Sequence, residues 1–456
     1  MSTDLAHDPE TRRPIRSLED LEGWFMAGCK PRPRWGLGLE YELLGLDRPT
    51  GRAVPYAGEA SVRSVLEGLV NHHGWEAFHE GEHPIALVRG GTHITLEPGG
   101  QTELSSCVHR NLYDMNAELQ AFLRDLRSES ASRDIGWIGL GLQPFTERAS
   151  IGWVPKARYG IMSRVLAKAG RSAHDMMKRT AGIQVNLDYA SEADATAKFR
   201  ALMGIAPVIT ALFANSPFSG GKPTGLMSTR AAIWRETDPA RCGLLRLAFE
   251  DRPFFRAYME WALDVPMMFV IRDHSWVPVD LPFRRFLSGG HRGLVPLLAD
   301  WELHLTTLFP DIRLKRCMEA RCADSADPGL AMAQAALIKG IVYDDHAMAQ
   351  AWQLVSDLSF DARLVLHRDV CRLGLEARAG SRPVRELAAG LVAAARQGLQ
   401  RLQPEAGQDE TLFLAPLDRL LDHGSPARLL LKSWETDLAR DRRALVEHLS
   451  RLSLPG

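Results

Sequence analysis

Beginning at Trp35, WGLGLEYELLGLD places Leu37, Leu39, Tyr41 and Leu43 on one face of an extended strand and Glu40 and Glu42 on the other. The same two-sided alternation returns three times. In THITLEPGGQTELSS, His93, Thr95 and Glu97 oppose Ile94 and Leu96; beyond Pro98-Gly99-Gly100, Gln101 and Glu103 oppose Thr102 and Leu104. In GIQVNLDY, Gln184, Asn186 and Asp188 oppose Ile183, Val185, Leu187 and Tyr189. DIRLKRCMEARCAD sets Arg313, Lys315, Glu319 and Arg321 against Ile312, Leu314, Met318 and Ala320. Four such strands predict an α+β fold: one antiparallel sheet, apolar and helix-covered behind, with a polar front facing a cleft. A solvated sheet face mixes Lys, Thr, Ser and Glu. Acids flanked by glycine and apolar residues on several strands predict a site instead. Whether Glu97 and Glu103 reach the same side depends on the bend at the glycines.

Buried acids cost free energy unless positive charge compensates them. Oxygen donors alone, from Glu40, Glu42, Glu97, Glu103, Gln184, Asn186 and Glu319, suit Mg²⁺ or Mn²⁺ and argue against zinc, which prefers Cys and His. Such ions among acids imply a phosphate-bearing substrate, with Arg313, Lys315 and Arg321 available to neutralise a transferring phosphoryl group. Other nucleotide motifs are absent. GGKPTG at Gly220 has Pro223 after Lys222, so it is no Walker A loop, and GLGLQPF at Gly139 lacks the third glycine of a dinucleotide fingerprint. His72, His73, His79 and His83 are irregularly spaced and read as solvated loop residues.

Residues 1–15 are expected to be a mobile tail, followed by a short helix in SLEDLEGWFMAG with Ser17 as N-cap. Helical spacing marks SVRSVLEGLVNHHG, NLYDMNAELQAFLRDLRSES and ATAKFRALMGIAPVITALFANS. Strand signals almost vanish after about Ala326. The chain therefore divides into a core over 16–325 and a helical C-terminal region over 326–456, docked on the core through its apolar faces. The formal net charge of −1 offers no electrostatic reason to expect nucleic acid or an anionic membrane as partner. No apolar run approaches a membrane-spanning length, and the N-terminus lacks a secretory h-region. Six scattered cysteines without a CxxC pair read as reduced thiols, so a cytoplasmic monomer or homodimer is expected.

Longer motifs carry a resemblance. HITLEPGGQTELSS, WVPKARYGIM, GIQVNLDYASEAD, ALFANSPFSGGKPTGLMSTRAAIW, ALDVPMMF, DWELHLTTLFPDIRLKRCMEARCAD and GIVYDDHA follow in this order. The chain resembles the plant-type glutamate–cysteine ligases, found also in bacteria, from about Trp35 to the C-terminal helices. The resemblance implies a curved, glutamine-synthetase-like sheet cradling ATP, Mg²⁺ and two amino acids. It implies transfer of the ATP γ-phosphate to the γ-carboxylate of L-glutamate, then displacement by the amine of L-cysteine, the first step of glutathione-type thiol synthesis. By the same resemblance, Glu40, Glu42, Glu97, Glu103 and Glu319 are metal ligands, with Gln184 and Asn186 beside them. Arg313, Lys315 and Arg321 face ATP, Lys315 and Arg321 also serving the acyl phosphate. Arg158 and Arg230 clamp the glutamate carboxylate. Trp234 is either a pocket wall or core. Departures from the family pattern at Thr102, Ser106, Cys107 and Cys322, expected near the site, leave open an alternative: the same activation chemistry with another amine acceptor.

Overall fold

The computed structural model describes residues 9–402 and 408–452. The alternating segments form strands, and all nine strands of the main sheet pair antiparallel. In chain order they are β1 (Leu37–Asp47), β2 (Glu76–Glu80), β3 (His83–Arg89), β4 (Thr92–Leu96), β5 (Thr102–Ser105), β6 (Ile135–Ile138), β7 (Gly182–Leu187), β8 (Ile312–Leu314) and β9 (Met318–Asp324). Across the sheet the order is β8-β9-β7-β1-β5-β4-β3-β2, with β6 paired to the far half of β1. The four polar rows therefore lie near one another, on β8–β9, β7, β1 and the β4–β5 hairpin.

Register converts sequence alternation into rows of chemistry. Glu40 lies opposite Gln184 on one side and Ser105 on the other, and Glu42 lies opposite Glu103. Glu319 lies between Arg313 and Asn186. The register shifts between Ala320 and Ala323, so the bulge carries Arg321.

The helices begin where the capping residues stand. Ser61, Asn111 and Ser191 each accept a backbone N–H from the first turn of helices Val62–His73, Leu112–Ala131 and Glu192–Leu212. Behind the sheet, Leu39, Tyr41, Val185 and Leu187 share one core with Ile205 of helix Glu192–Leu212 and Ala333 of helix Pro328–Val342. That core continues without a break into the C-terminal helices as far as Leu420.

Three expectations change. Helix Glu192–Leu212 is long and apolar enough to cross a membrane by length and composition, but 83% of that stretch is buried within the protein. It is the central core helix. The expected N-terminal tail is ordered from Pro9: a turn of 3-10 helix spans Pro9–Arg12, and the Ile15 N–H donates to Pro296 O at 3.0 Å. The remainder, residues 1–8, lies outside the described residues. Among the described residues, the regular structure of the C-terminal region is helical apart from a two-strand pair, Arg378–Ala379 with Arg382–Pro383.

Candidate active site

The β4–β5 hairpin turns tightly through Glu97–Gln101. Gly100 takes φ +90°, where only glycine is unstrained, and a Cβ on Gly99 would sit 2.1 Å from the Lys178 carbonyl oxygen. The Gln101 side chain clamps the turn: it accepts from the Gly99 N–H at 2.9 Å and donates to Thr180 O at 2.8 Å. The bend brings Glu97 and Glu103 to the same side. Both line one cleft with Glu40 and Glu42.

The acids there are partly satisfied. Glu42 accepts from the Gly182 N–H at 2.7 Å and from Gln184 Nε2 at 3.0 Å. Glu40 accepts from Asn186 Nδ2 at 3.0 Å, and Glu103 from Ser105 Oγ at 2.8 Å and Thr95 Oγ1 at 3.0 Å. Burial pushes all three carboxyls up. Repulsion adds to it, from Glu319 and Glu103 on Glu40, from Glu103 and Glu97 on Glu42, and from Glu97 on Glu103. Glu42 reaches about 8. This half of the cleft is short of positive charge.

The other half is cationic. Glu319, with no solvent exposure, holds Arg313 at 2.6 Å, Arg321 at 2.7 Å and Lys315 at 3.1 Å. Burial alone raises its carboxyl, but those three cations outweigh it and hold Glu319 well below the usual carboxylate range. Arg321 also donates to Gln184 Oε1. Glu319 is thus engaged by cations and Gln184 by Arg321. Among the described residues no group of three or more His, Cys, Asp or Glu is arranged to hold a metal ion. Of the residues expected as ligands, Glu40, Glu42, Glu97, Glu103 and Gln184 line the cleft without forming a closed cage, whereas Glu319 and Asn186 do not line it.

Arg158 lines this cleft at the start of helix Ala157–Ala169. Arg230, on helix Thr229–Arg235, lines a smaller pocket that shares Trp234, Phe309 and Arg321 with it. It donates to Arg321 O at 3.1 Å and lies 3.9 Å from Asp324, which Ser216 and Ser228 hold by hydrogen bonds. Trp234 lines both pockets and also packs against the main core.

Lys156 was not foreseen. It stands two residues before Arg158, is buried in the cleft, donates to Leu96 O at 2.9 Å, and is pulled down to about 7 by burial and then by Arg158. Its presence in the WVPKARYGIM motif was the available signal. Asp188 leaves the polar row: it pairs with Lys30 at 2.7 Å and accepts the Gly36 N–H.

The departures from the family pattern are scattered. Thr102 is fully buried in the core, the Ser106 hydroxyl accepts the Leu39 N–H, and Cys107 donates to Gly90 O; none of them lines either pocket. Only Cys322 does. The four histidines are not on loops: His72 and His73 end helix Val62–His73 and both meet Glu129, while His79 and His83 lie in β2 and β3.

The model of glutamate-cysteine ligase family 2 matches residues 36–448. A chloroplastic glutamate–cysteine ligase B of Oryza sativa subsp. japonica is 38% identical over 455 residues, covering 98% of this chain and 90% of its own. The chloroplastic enzyme of Arabidopsis thaliana is 36% identical over 450 residues, covering 98% and 84%. Among solved structures, a glutamate–cysteine ligase of Francisella tularensis in complex with AMP overlaps with TM-score 0.49 at 12% identity, covering 92% of each chain. The expected cytoplasmic location is overturned by the relatives, which are chloroplastic.

Proposed function

The chain belongs to glutamate–cysteine ligase family 2 and is an enzyme of that kind, and from that premise we propose that it joins the γ-carboxylate of L-glutamate to the amine of L-cysteine at the expense of ATP. The observation that carries this reading is the polarised cleft, four carboxylates on one side and Arg313, Lys315 and Arg321 on the other, across a single sheet. A carboxylate is activated for amide formation by phosphorylation. That requires positive charge at the transferring phosphoryl group and fixed positions for both reactants.

Lys315 and Arg321 are the groups we assign to the phosphoryl group and the resulting γ-glutamyl phosphate, with Arg313 beside them on the ATP phosphates. Glu319 keeps these cations together when no phosphate is present. Arg158 and Arg230 are assigned to the glutamate α-carboxylate, and Asp324, tied to two serines, fixes the direction of Arg230. The oxygen-only donor set fits Mg²⁺ or Mn²⁺: Glu40, Glu42, Glu97 and Glu103 would hold the ions, with Gln184, Asn186 and Glu319 at the boundary with the cationic half. A divalent ion bound there would draw negative charge off the triphosphate. It would also supply the charge that the raised carboxyls lack, which is the physical support for this assignment. Residues 16–325 would form the catalytic core, and residues 326–456 a helical region packed on its back.

The experiment is ATP turnover with Mg²⁺ and glutamate, offering cysteine against a panel of amines and identifying products by mass. Phosphate release with cysteine and a γ-glutamylcysteine mass is expected. Turnover that requires glutamate and ignores cysteine would transfer the reading to another acceptor, for which Cys322 beside Arg230 and Trp234 is the one supporting position. Absence of turnover with every amine would overturn both.

A further inference from the structure

A second cavity, mainly apolar, stands apart from the catalytic cleft. It has a volume of about 630 Å³, lies behind the sheet and shares no lining residue with that cleft. Its floor is the back of the sheet: Tyr41 and Leu43 from β1, and Trp137 and Ile138 from β6. Its walls come from three C-terminal helices through Leu420 (Ala415–His423), Leu430 (Pro426–Thr436) and Leu449 (Arg442–Leu452). The polar atoms of the floor are already used. The Tyr41 hydroxyl donates to Ala326 O at 2.7 Å, and Trp137 Nε1 donates to Ser130 Oγ at 2.7 Å. The floor therefore offers hydrocarbon and aromatic surface.

The rim differs in chemistry. Arg419 and His423 stand one turn apart on helix Ala415–His423, and His448 faces them from helix Arg442–Leu452. Among the described residues none of the three makes a hydrogen bond or ion pair. The one acid on the rim, Asp327, caps helix Pro328–Val342 by accepting the Leu330 N–H at 3.1 Å. The positive end of that fifteen-residue helix also borders the cavity. A pocket of this size, apolar within and carrying a few convergent polar groups, has the form of a small-molecule site.

We propose that this cavity binds a small amphipathic anion, a carboxylate or sulfonate on an aliphatic or aromatic body, with the body on Tyr41, Leu43 and Trp137 and the head met by Arg419, His423 and His448. A cation is disfavoured by the Arg419 guanidinium, the two imidazoles serving as hydrogen-bond donors, and a polar sugar or nucleotide would leave its hydroxyls unpaired against Leu43, Leu430 and Leu449. Tyr41 and Leu43 alternate along β1 with Glu40 and Glu42. The bound molecule would therefore lie directly behind the acidic half of the catalytic cleft, separated from it by one strand.

The test uses the full-length enzyme and 8-anilinonaphthalene-1-sulfonate, an anion whose fluorescence rises in apolar surroundings. The expected result is a saturable 1:1 complex, unaffected by saturating ATP and displaced by decanoate but not by decylamine. Arg419→Glu, at an exposed helical position that leaves the core untouched, is expected to weaken it about tenfold or more, since a charge-assisted contact becomes repulsive. Ser433→Trp, which fills the half-buried wall, is expected to abolish it while far-UV circular dichroism stays unchanged. Failure to saturate at 1:1, displacement by ATP or by decylamine, or retention of full affinity in a folded Arg419→Glu protein would each overturn the proposal.

Discussion

Replacing Glu319 by Gln keeps the side-chain shape and removes the charge that three cations share. The carboxylate is inaccessible to solvent and lies 2.6 Å from Arg313, 2.7 Å from Arg321 and 3.1 Å from Lys315. Removing one partner of a buried ion pair costs about 3–5 kcal/mol, because the charge left behind is uncompensated. Here the abandoned cations border a cleft that water reaches, so the lower end applies, about 3 kcal/mol. Unfolding entropy scales with length, and for 456 residues it is about 1 kcal/mol/K. Glu319→Gln should therefore lower Tm by about 3 °C in differential scanning calorimetry without ligand. Tripolyphosphate should recover most of that loss and raise the variant's Tm more than the wild type's, because its oxygens take the place of the carboxylate. An unchanged Tm would refute the reading of Glu319 as the cluster's counter-ion. A loss that persists in saturating tripolyphosphate would refute the assignment of the three cations to phosphate.

Glu97→Gln is expected to abolish ATP turnover, with an unchanged circular dichroism spectrum; near-wild-type ADP release by the folded variant would sink the metal assignment. Gly99→Ala forces a Cβ against the Lys178 carbonyl, a backbone contact that cannot give way cheaply, and should cost about 2 kcal/mol or more by urea unfolding. His304 is buried with Nε2 on Ala262 O at 2.8 Å, and burial lowers its pKa to about 3. The unfolded chain binds the proton more readily. The neutral ring's contribution is thus full above about pH 6.5 and is lost progressively as pH falls toward 3, up to roughly 5 kcal/mol. His304→Gln should flatten the urea midpoint between pH 6.5 and 4, and a variant with the wild-type slope would contradict this.

The sheet was legible because alternation is a local property: Leu37 to Leu43 declare a buried face within seven residues, and Ile183 to Leu187 within five. The neighbours of each strand are not local. Glu42 meets Glu103 only through the β1–β5 register, and the bulge that carries Arg321 depends on how β9 pairs with β7. The acids on the front were readable as a set, but their partners were not: that Glu319 would gather three cations follows from geometry on two strands and the bulge. Lys156 was overlooked since one lysine in a helix-start motif looks like any solvated charge. His72 and His73 close a segment whose helical spacing was legible, but spacing cannot reveal that both meet Glu129, more than fifty positions away.

β1 also has a mechanical consequence. It pairs with β7 over Leu37–Tyr41, with β5 over Glu40–Leu43 and with β6 over Leu44–Asp47, so almost its whole length is held from a flank and its middle from both. Amide protons in such a strand exchange only when a large part of the sheet opens. Glu40 and Glu42 therefore stand on a strand held by its neighbours, whereas Lys156 and Arg158 stand at the N-terminal end of helix Ala157–Ala169, outside the sheet's pairing. Any closing of the enzyme around its reactants is to be sought as movement of the helix toward the sheet, with slow hydrogen exchange at β1 and faster, ligand-sensitive exchange around residue 157.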